Sequence, residues 1–373
     1  MPIVLTSRVA PSLRVTLSQL RHFAVARSLF TPTTLMRALN RCGFVQADPI
    51  RAPARAQDLT LRHRVTNYRA GDLERRYPAL RIEEDTFVNY GFLPGAVQAL
   101  MHPRELMSEW PAGRIKRARD VLAFVRERGA VHPREVDDYF SHGTVTNYWG
   151  GSSNATTHLL EAMHYAGLLR VARREAGIRI YAAHEHAPRP ADDAGRDARM
   201  DALVAVVVRT YAPLPAARLS NLVSRLRYAV PQWRGELKRA LQRAQQCLAH
   251  ARLNGVDWYW PAGEQLPRGD PPDMVRLLSP FDPVVWDRPR FELLWGWAYR
   301  FEAYTPAQKR RLGYYALPLL WRDRVIGWAN VSAKNGHLRV DPGYVVAKPR
   351  DRSFRSELEA ELDRMRRFLG PGS

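Results

Sequence analysis

The clearest hydrophobic periodicity lies between Ile115 and Ala183. A helical stretch from Arg117 to Arg128 stops at Gly129. A second helix follows His132-Pro133, with the proline in the first turn, where a missing N–H does no harm. Gly150-Gly151 leads to Ser153-Asn154, residue types suited to capping a helix. Leu159, Leu160, Met163 and Ala166 then recur at helical spacing up to Gly167. Leu169, Val171, Ile178, Ile180 and Tyr181 mark two strands about a turn at Glu175-Ala176-Gly177. Three helices closed by a β-hairpin predict a winged helix.

A second copy follows a joint over residues 184–196, rich in Pro, Asp, Ala and Gly. Helices are predicted over 200–211, 215–225 and 232–245. Strands at 248–252 and 256–260 flank Leu253-Asn254-Gly255, and Asn-Gly is the strongest short hairpin signal. The N-terminal region reads as a degenerate copy. Thr16 starts a helix through Phe30, and Thr31-Pro32 opens another through Arg41. Gly43 ends it, and Phe44 to Ile50 is a short extended segment halted by Pro49. Helical segments resume over 69–107. After a proline-rich joint at 261–272, strands at 317–320, 324–331 and 337–340, a turn at Asn335-Gly336 and an amphipathic helix over 353–369 complete the chain. The expected fold is α+β and mainly helical: tandem winged-helix domains with a C-terminal β-rich unit. The expected boundaries are 1–114, 115–190, 191–262 and 263–373.

Composition adds a partner to this picture. The chain of 373 residues is 46% hydrophobic and carries 57 Lys and Arg against 37 Asp and Glu, a net +20. The surplus is spread through periodic sequence instead of a tail, so it points to a polyanion gripped by folded surface. Cys42 and Cys247 are the only cysteines, which excludes a disulfide framework and suits a reducing compartment. No stretch approaches the ~20 apolar residues needed to span a bilayer. These features predict a soluble cytoplasmic protein associated with the nucleoid. His184-Glu185-His186 is the only tight histidine pair and reads as a solvated loop, with no ligand cluster around it.

A winged helix alone predicts binding, and a transcriptional regulator without catalysis is the alternative reading; an RNA-associated factor is a third. The segment around Gln46 argues for chemistry. Gln46 and Asp48 are two apart, so an extended strand would turn both to one face. An amide beside a carboxylate can hold one water, which suits cleavage of a nucleoside bond through an oxocarbenium-like transition state. The same residues could instead cap the turn before Pro49 and satisfy a backbone group. Arg51 and Arg55 follow closely and could hold phosphates. Arg170, Arg173, Arg174 and Arg179 decorate the first clear wing, suited to a DNA backbone. Lys309, Arg310 and Arg311 form the densest basic run, between Tyr304 and Tyr314, a mixture suited to phosphates and an exposed base. Glu83-Glu84-Asp85 reads as a solvated helix start. Trp286, Trp295 and Trp297 read as core. Asp282 and Asp287 read as caps paired with Arg288 or Arg290.

The stretch Gly43-Phe44-Val45-Gln46-Ala47-Asp48-Pro49-Ile50, followed by Ala54-Arg55-Ala56, resembles the signature of the AlkZ/YcaQ family of winged-helix DNA glycosylases. Its Gln-x-Asp form is similar to the YcaQ-like branch. Ser279-Pro280-Phe281-Asp282, Trp286-Asp287-Arg288, Arg290, Tyr299, Glu302-Ala303-Tyr304, Lys309-Arg310 and Gly313 to Pro318 resemble that family's C-terminal run. The resemblance implies a monofunctional enzyme that removes N-alkylated purines from duplex DNA and unhooks interstrand crosslinks, without metal or cofactor. It makes Asp48 the catalytic carboxylate and Gln46 the water-positioning amide. One departure is Phe87-Val88-Asn89-Tyr90 before Pro94, where many members carry Trp and His. Nothing suggests a dimer seam, so a monomer is expected.

Overall fold

Thr16 caps the first helix, α1 (Leu17–Ser28), as its position predicts. The Gln19 N–H donates to Thr16 Oγ1 at 3.2 Å, and Gln19 Oε1 accepts from the Thr16 N–H at 2.9 Å. This reciprocal pair satisfies two donors that the first turn leaves open. The second helix, α2 (Leu35–Cys42), starts later than Thr31-Pro32 suggests. The reason is tertiary: the Thr33 N–H donates to Arg64 O, and Thr33 O accepts from the Thr66 N–H, which keeps this stretch extended. Gly43 closes α2 at φ +77°, and a Cβ there would stand 2.9 Å from the Val206 side chain. Positive φ and the close approach both require glycine.

The computed structural model describes residues 15–104, 110–146, 152–188, 190, 192–334 and 337–370. The chain divides into two units, each assembled from separate stretches: Met1–Leu73, Val204–Val223 and Leu241–Ser373, and Glu74–Leu203 with Ser224–Ala240.

In the first unit, Val25 of α1 and its C-cap Leu29 are buried in a core with Leu278, Val284, Val285, Phe291, Tyr299, Ala316, Leu320 and Val325. Trp295 and Trp297 pack partly buried against this core, and Trp286 is half-buried beside Tyr211. A four-stranded antiparallel sheet runs Val275–Leu277, Leu317–Trp321, Arg324–Lys334, His337–Tyr344. Three of these strands are the predicted ones; the short first strand carries too few residues to show a period. The turn expected at Asn335-Gly336 lies outside the described residues. The hairpin Ala249–Leu253 and Val256–Trp260 turns through Asn254 at φ 49° and Gly255 at φ 81°, as Asn-Gly demands. The terminal helix Arg352–Leu369 turns Glu361 inward, where Arg62 pairs with it and the Leu277 N–H donates to it.

The same unit buries a complete ion pair. Arg64 and Asp282 are both shielded from solvent and meet through two N–H···O bonds of 2.7 and 3.0 Å. The remaining guanidinium hydrogens go to Thr60 O, Ser28 O and Ser28 Oγ.

In the second unit, helices Ala112–Arg128, Pro133–Phe140 and Ala155–Ala166 are followed by the hairpin Leu169–Glu175 and Ile178–Ala183, with Ala130–Val131 added beside the second strand. Asn154 caps the third helix, accepting from the Thr157 N–H at 2.9 Å. Ala176 and Gly177 take positive φ in the predicted turn. The connection at Gly150-Gly151 lies outside the described residues.

Two expectations fail in this unit. The region 69–107 is not a helical run. It holds short helices at Asp72–Arg76 and Gly95–Met101 with an antiparallel hairpin, Ile82–Thr86 and Tyr90–Pro94, between them; 105–109 lie outside the described residues. Glu83-Glu84-Asp85 is therefore a strand segment, not a solvated helix start. Glu84 and Asp85 are buried, because each carboxylate has a cation waiting: Arg170 for Glu83, Arg174 for Glu84 and Arg104 for Asp85, which is also hydrogen-bonded to His102. Nor is His184-Glu185-His186 a wholly solvated loop. His186 stacks on buried His102 with ring centroids 4.4 Å apart, and His184 lies 4.0 Å from His186. Burial first, then the charge of His186, holds His184 down to about 3, and burial first holds His102 down to about 4, so both rings are uncharged at neutral pH.

Candidate active site

The strand β1 is only Val45–Gln46, following the Gly43 turn. Asp48 lies beyond it, in the loop before the third helix, α3 (Ala56–Leu61). Asp48 lies outside the strand, so strand alternation does not set its direction relative to Gln46. Every residue of α3 is buried, which makes it a rigid floor for the loop. Gln57 on this helix accepts from the Asp48 N–H at a long 3.4 Å. Gln46, Ala47 and Asp48 are all half-buried.

Asp48 uses one carboxylate oxygen locally: Oδ1 accepts from the Ile50 N–H at 2.9 Å. This is the turn-capping bond the plainer reading expects. Among the described residues nothing donates to the other oxygen, Oδ2. Partial burial pushes the Asp48 carboxyl above its ordinary range, and the Ile50 hydrogen bond only partly offsets it.

Aromatic side chains gather near this carboxylate. The buried Tyr315 hydroxyl is pushed well up, by burial first and by the charge of Asp48 second. Tyr304 is raised by the same two causes in the same order, yet it is 78% exposed. Phe301 meets Tyr304, Tyr315 and Phe281 edge-on at 6.1, 5.2 and 5.1 Å. The loop that follows is held by one carboxylate: Glu302 Oε2 accepts from the N–H groups of Arg311 and Leu312 at 2.8 Å and of Gly313 at 3.3 Å. This fixes the basic run. Lys309 and Arg311 are exposed, and Arg310 donates to Thr305 O and lies 5.0 Å from the exposed Tyr314 ring. The sequence places Tyr304 beside the basic run as a face for an exposed base, but not near Asp48. The only available signal was its place before a basic run.

Of the other expected DNA contacts, Arg51 is exposed and Arg55 is half-buried at the entry to α3. On the wing, Arg173 is exposed and pairs with its neighbour Glu175. Arg170 and Arg174 are engaged internally by Glu83 and Glu84. Arg174 is a bidentate partner of a buried carboxylate, which leaves little of its fork for a phosphate. Asn89 sits in the turn of the Ile82–Pro94 hairpin, with Phe87 and Val88 buried. Asp282 and Asp287 do cap: Asp282 accepts from the Val284 N–H, and Asp287 from the Arg290 N–H. Their ionic partners are Arg64 and Arg218, not Arg288 or Arg290. Arg290 instead donates to the carbonyls of Pro213, Pro283 and Val284, and burial holds it down to about 10. Among the described residues no three His, Cys, Asp or Glu side chains are grouped as metal ligands, and no helix is long and apolar enough to cross a membrane.

Residues 39–368 match the AlkZ-like DNA glycosylase family, and that span takes in Gln46, Asp48 and the Glu302 loop. The chain belongs to the AlkZ-like DNA glycosylase family. Its fold is similar to that of the DNA glycosylase AlkZ of Streptomyces sahachiroi, with a TM-score of 0.62 over 95% of this chain and 97% of that one, at 13% identity. At that identity the likeness speaks for the fold. In this AlkZ-like glycosylase, Asp48, Tyr304, Tyr315 and the Glu302 loop all belong to the first unit.

Proposed function

We propose that this AlkZ-like glycosylase hydrolyses the N-glycosidic bond of N7-alkylated purines in duplex DNA and unhooks interstrand crosslinks built on such bonds. The observation that carries this reading is Asp48: a half-buried carboxylate near an exposed tyrosine, with one oxygen fixed by the Ile50 N–H and the other accepting from no donor among the described residues. In the proposed reaction a water oxygen forms a bond to C1′ as the C1′–N9 bond breaks. The bonding pair goes to the base, cancels the positive charge on the N7-alkylated ring and releases a neutral purine. Asp48 stabilises the developing oxocarbenium ion and takes the water's proton, which passes to solvent. Gln46 orients that water. The leaving base already carries a positive charge, so no general acid, metal or cofactor is invoked. Unhooking is the same hydrolysis at one tethered purine.

Tyr304 offers a ring face to the lesion, and Lys309, Arg310, Arg311 and Arg51 hold phosphates around it, with Tyr314 beside them. Arg173, exposed and paired with its sequence neighbour Glu175, is the wing residue that can turn to a phosphate. The three-helix units with their hairpins serve as winged helices on the duplex. The protein acts as a monomer on DNA in the cytoplasm.

The test is incubation with an N7-methylguanine duplex and with a crosslinked duplex, followed by hot alkali. Strand cleavage is expected only after the alkali, because a monofunctional enzyme leaves an intact abasic sugar, and the crosslinked band should resolve into single strands. Absence of alkali-labile sites in both substrates would end the proposal. Tyr304→Ala is expected to lower kcat/KM on the methylated duplex by about 10-fold or more, since base–aromatic stacking contributes about 1–3 kcal/mol. Unchanged kinetics would remove Tyr304 from lesion contact.

A further inference from the structure

A second cationic feature of the first unit lies outside the Asp48 site. A cavity of about 500 Å³ is lined by Arg27, Arg41 and Arg209 against a single carboxylate, Glu264. That carboxylate is already occupied: Arg27 holds it bidentately through bonds of 2.6 and 2.9 Å. Arg27 also donates to Arg209 O, which draws its guanidinium toward the Arg209 segment. Arg41 lies over the Phe30 ring at 4.2 Å, so one face of its fork is set by packing. Among the described residues no carboxylate pairs with Arg41 or Arg209. Three guanidiniums less one carboxylate leave the cavity at +2.

The walls are built to hold these groups in place. The Thr210 hydroxyl donates to Cys42 O and Val206 O, which tethers the residue after Arg209 to the end of α2. Gly43 brings the chain so close that a Cβ would stand 3.5 Å from Arg209 Nε. Partial burial first, and the like charge of Arg27 second, push Arg209 below its usual value. An anion between them reverses that repulsion. Planar guanidinium forks pair two oxygens at once, which suits a tetrahedral oxyanion with several acceptors.

We propose that this cavity is a phosphate-binding site, with Arg41 and Arg209 as its open ligands and the Arg27–Glu264 pair as its fixed wall. The phosphate is either a diester of the DNA backbone or a free phosphate group, and two measurements separate these sources. The double variant Arg41→Ala/Arg209→Ala removes two exposed, unpaired cations and leaves no carboxylate orphaned; far-UV circular dichroism checks its fold.

For the first measurement, binding to an undamaged duplex is followed from about 50 to 200 mM salt. A backbone site predicts that the slope of log K against log salt falls by about 1 to 2 in the variant. For the second, thermal melts are run with inorganic pyrophosphate. A free-phosphate site predicts a rise of about 3 °C or more for the wild type, lost in the variant, with the salt slope unchanged. If neither slope nor melting responds, the proposal is overturned. It is equally overturned if the control Arg352→Ala/Arg355→Ala, on the terminal helix, gives the same change, because bulk charge would then explain it. Both readouts use undamaged DNA or no DNA, so they stand apart from the base-release assay. A failed glycosylase test and a failed phosphate site are therefore distinguishable.

Discussion

Asp48→Asn is expected to lower single-turnover base release from an N7-methylguanine duplex by about 10³-fold, with duplex affinity kept within about threefold. The amide keeps the shape of the side chain and its bond to the Ile50 N–H, but it can neither stabilise an oxocarbenium ion nor take a proton. The pH dependence gives an independent check. Partial burial raises the Asp48 carboxyl above its ordinary range. Activity that needs the ionised form should therefore fall, as pH drops, at a value above the ~4 typical of aspartate. The effect on stability has the opposite sign. A carboxyl raised in the folded state binds its proton more tightly there than in the unfolded chain, so its ionised form opposes folding above the unfolded value. The asparagine variant should then melt no lower than the wild type at pH 7, which separates lost chemistry from lost structure. An acidic limb at or below pH 4 in the wild type, or near-normal turnover by the variant, would take Asp48 out of the reaction.

The largest loss of stability should follow Arg64→Leu. It would leave the Asp282 carboxylate buried and unpaired, and would strip partners from Thr60 O and Ser28 O. Breaking a buried ion pair from one side costs about 3–5 kcal/mol. That is a large fraction of a typical domain's stability. Chemical denaturation read at its midpoint measures it. Asp282→Asn in the Arg64→Leu background should recover part of the loss, with a coupling of about 1–3 kcal/mol, because the charge that made the vacancy costly is gone. A single variant within about 1 kcal/mol of wild type would show that water or rearranged neighbours satisfy Asp282. The pair joins α1, the segment after α3 and the loop at Ser279–Asp282, so its loss should also disturb the Asp48 loop lying on α3.

What the sequence determined by itself is local. Thr16 with Gln19, Asn154 with Thr157, Asn254-Gly255 and Ala176-Gly177 act within three or four residues, where backbone sterics and one hydrogen bond decide the outcome. Those signals gave the helix starts, the hairpin turns and the unit Ala112–Ala183. The basic surplus and the Gln-x-Asp stretch were equally open to reading, and they pointed to DNA and to Asp48.

Tertiary structure alone decided where charge is buried. Glu83-Glu84-Asp85 looks solvated along the chain, because its neutralising arginines lie far away: Arg170 and Arg174 are 87 and 90 residues from Glu83 and Glu84. Asp282 takes Arg64, 218 residues distant, over its neighbours Arg288 and Arg290. Tyr304 comes near Asp48 from the far end of the sequence, on a loop that Glu302 ties in place. No pattern of spacing announces such pairs. Burying an ion is favourable only when its partner arrives in the right geometry, and that arrival is a property of the packed chain.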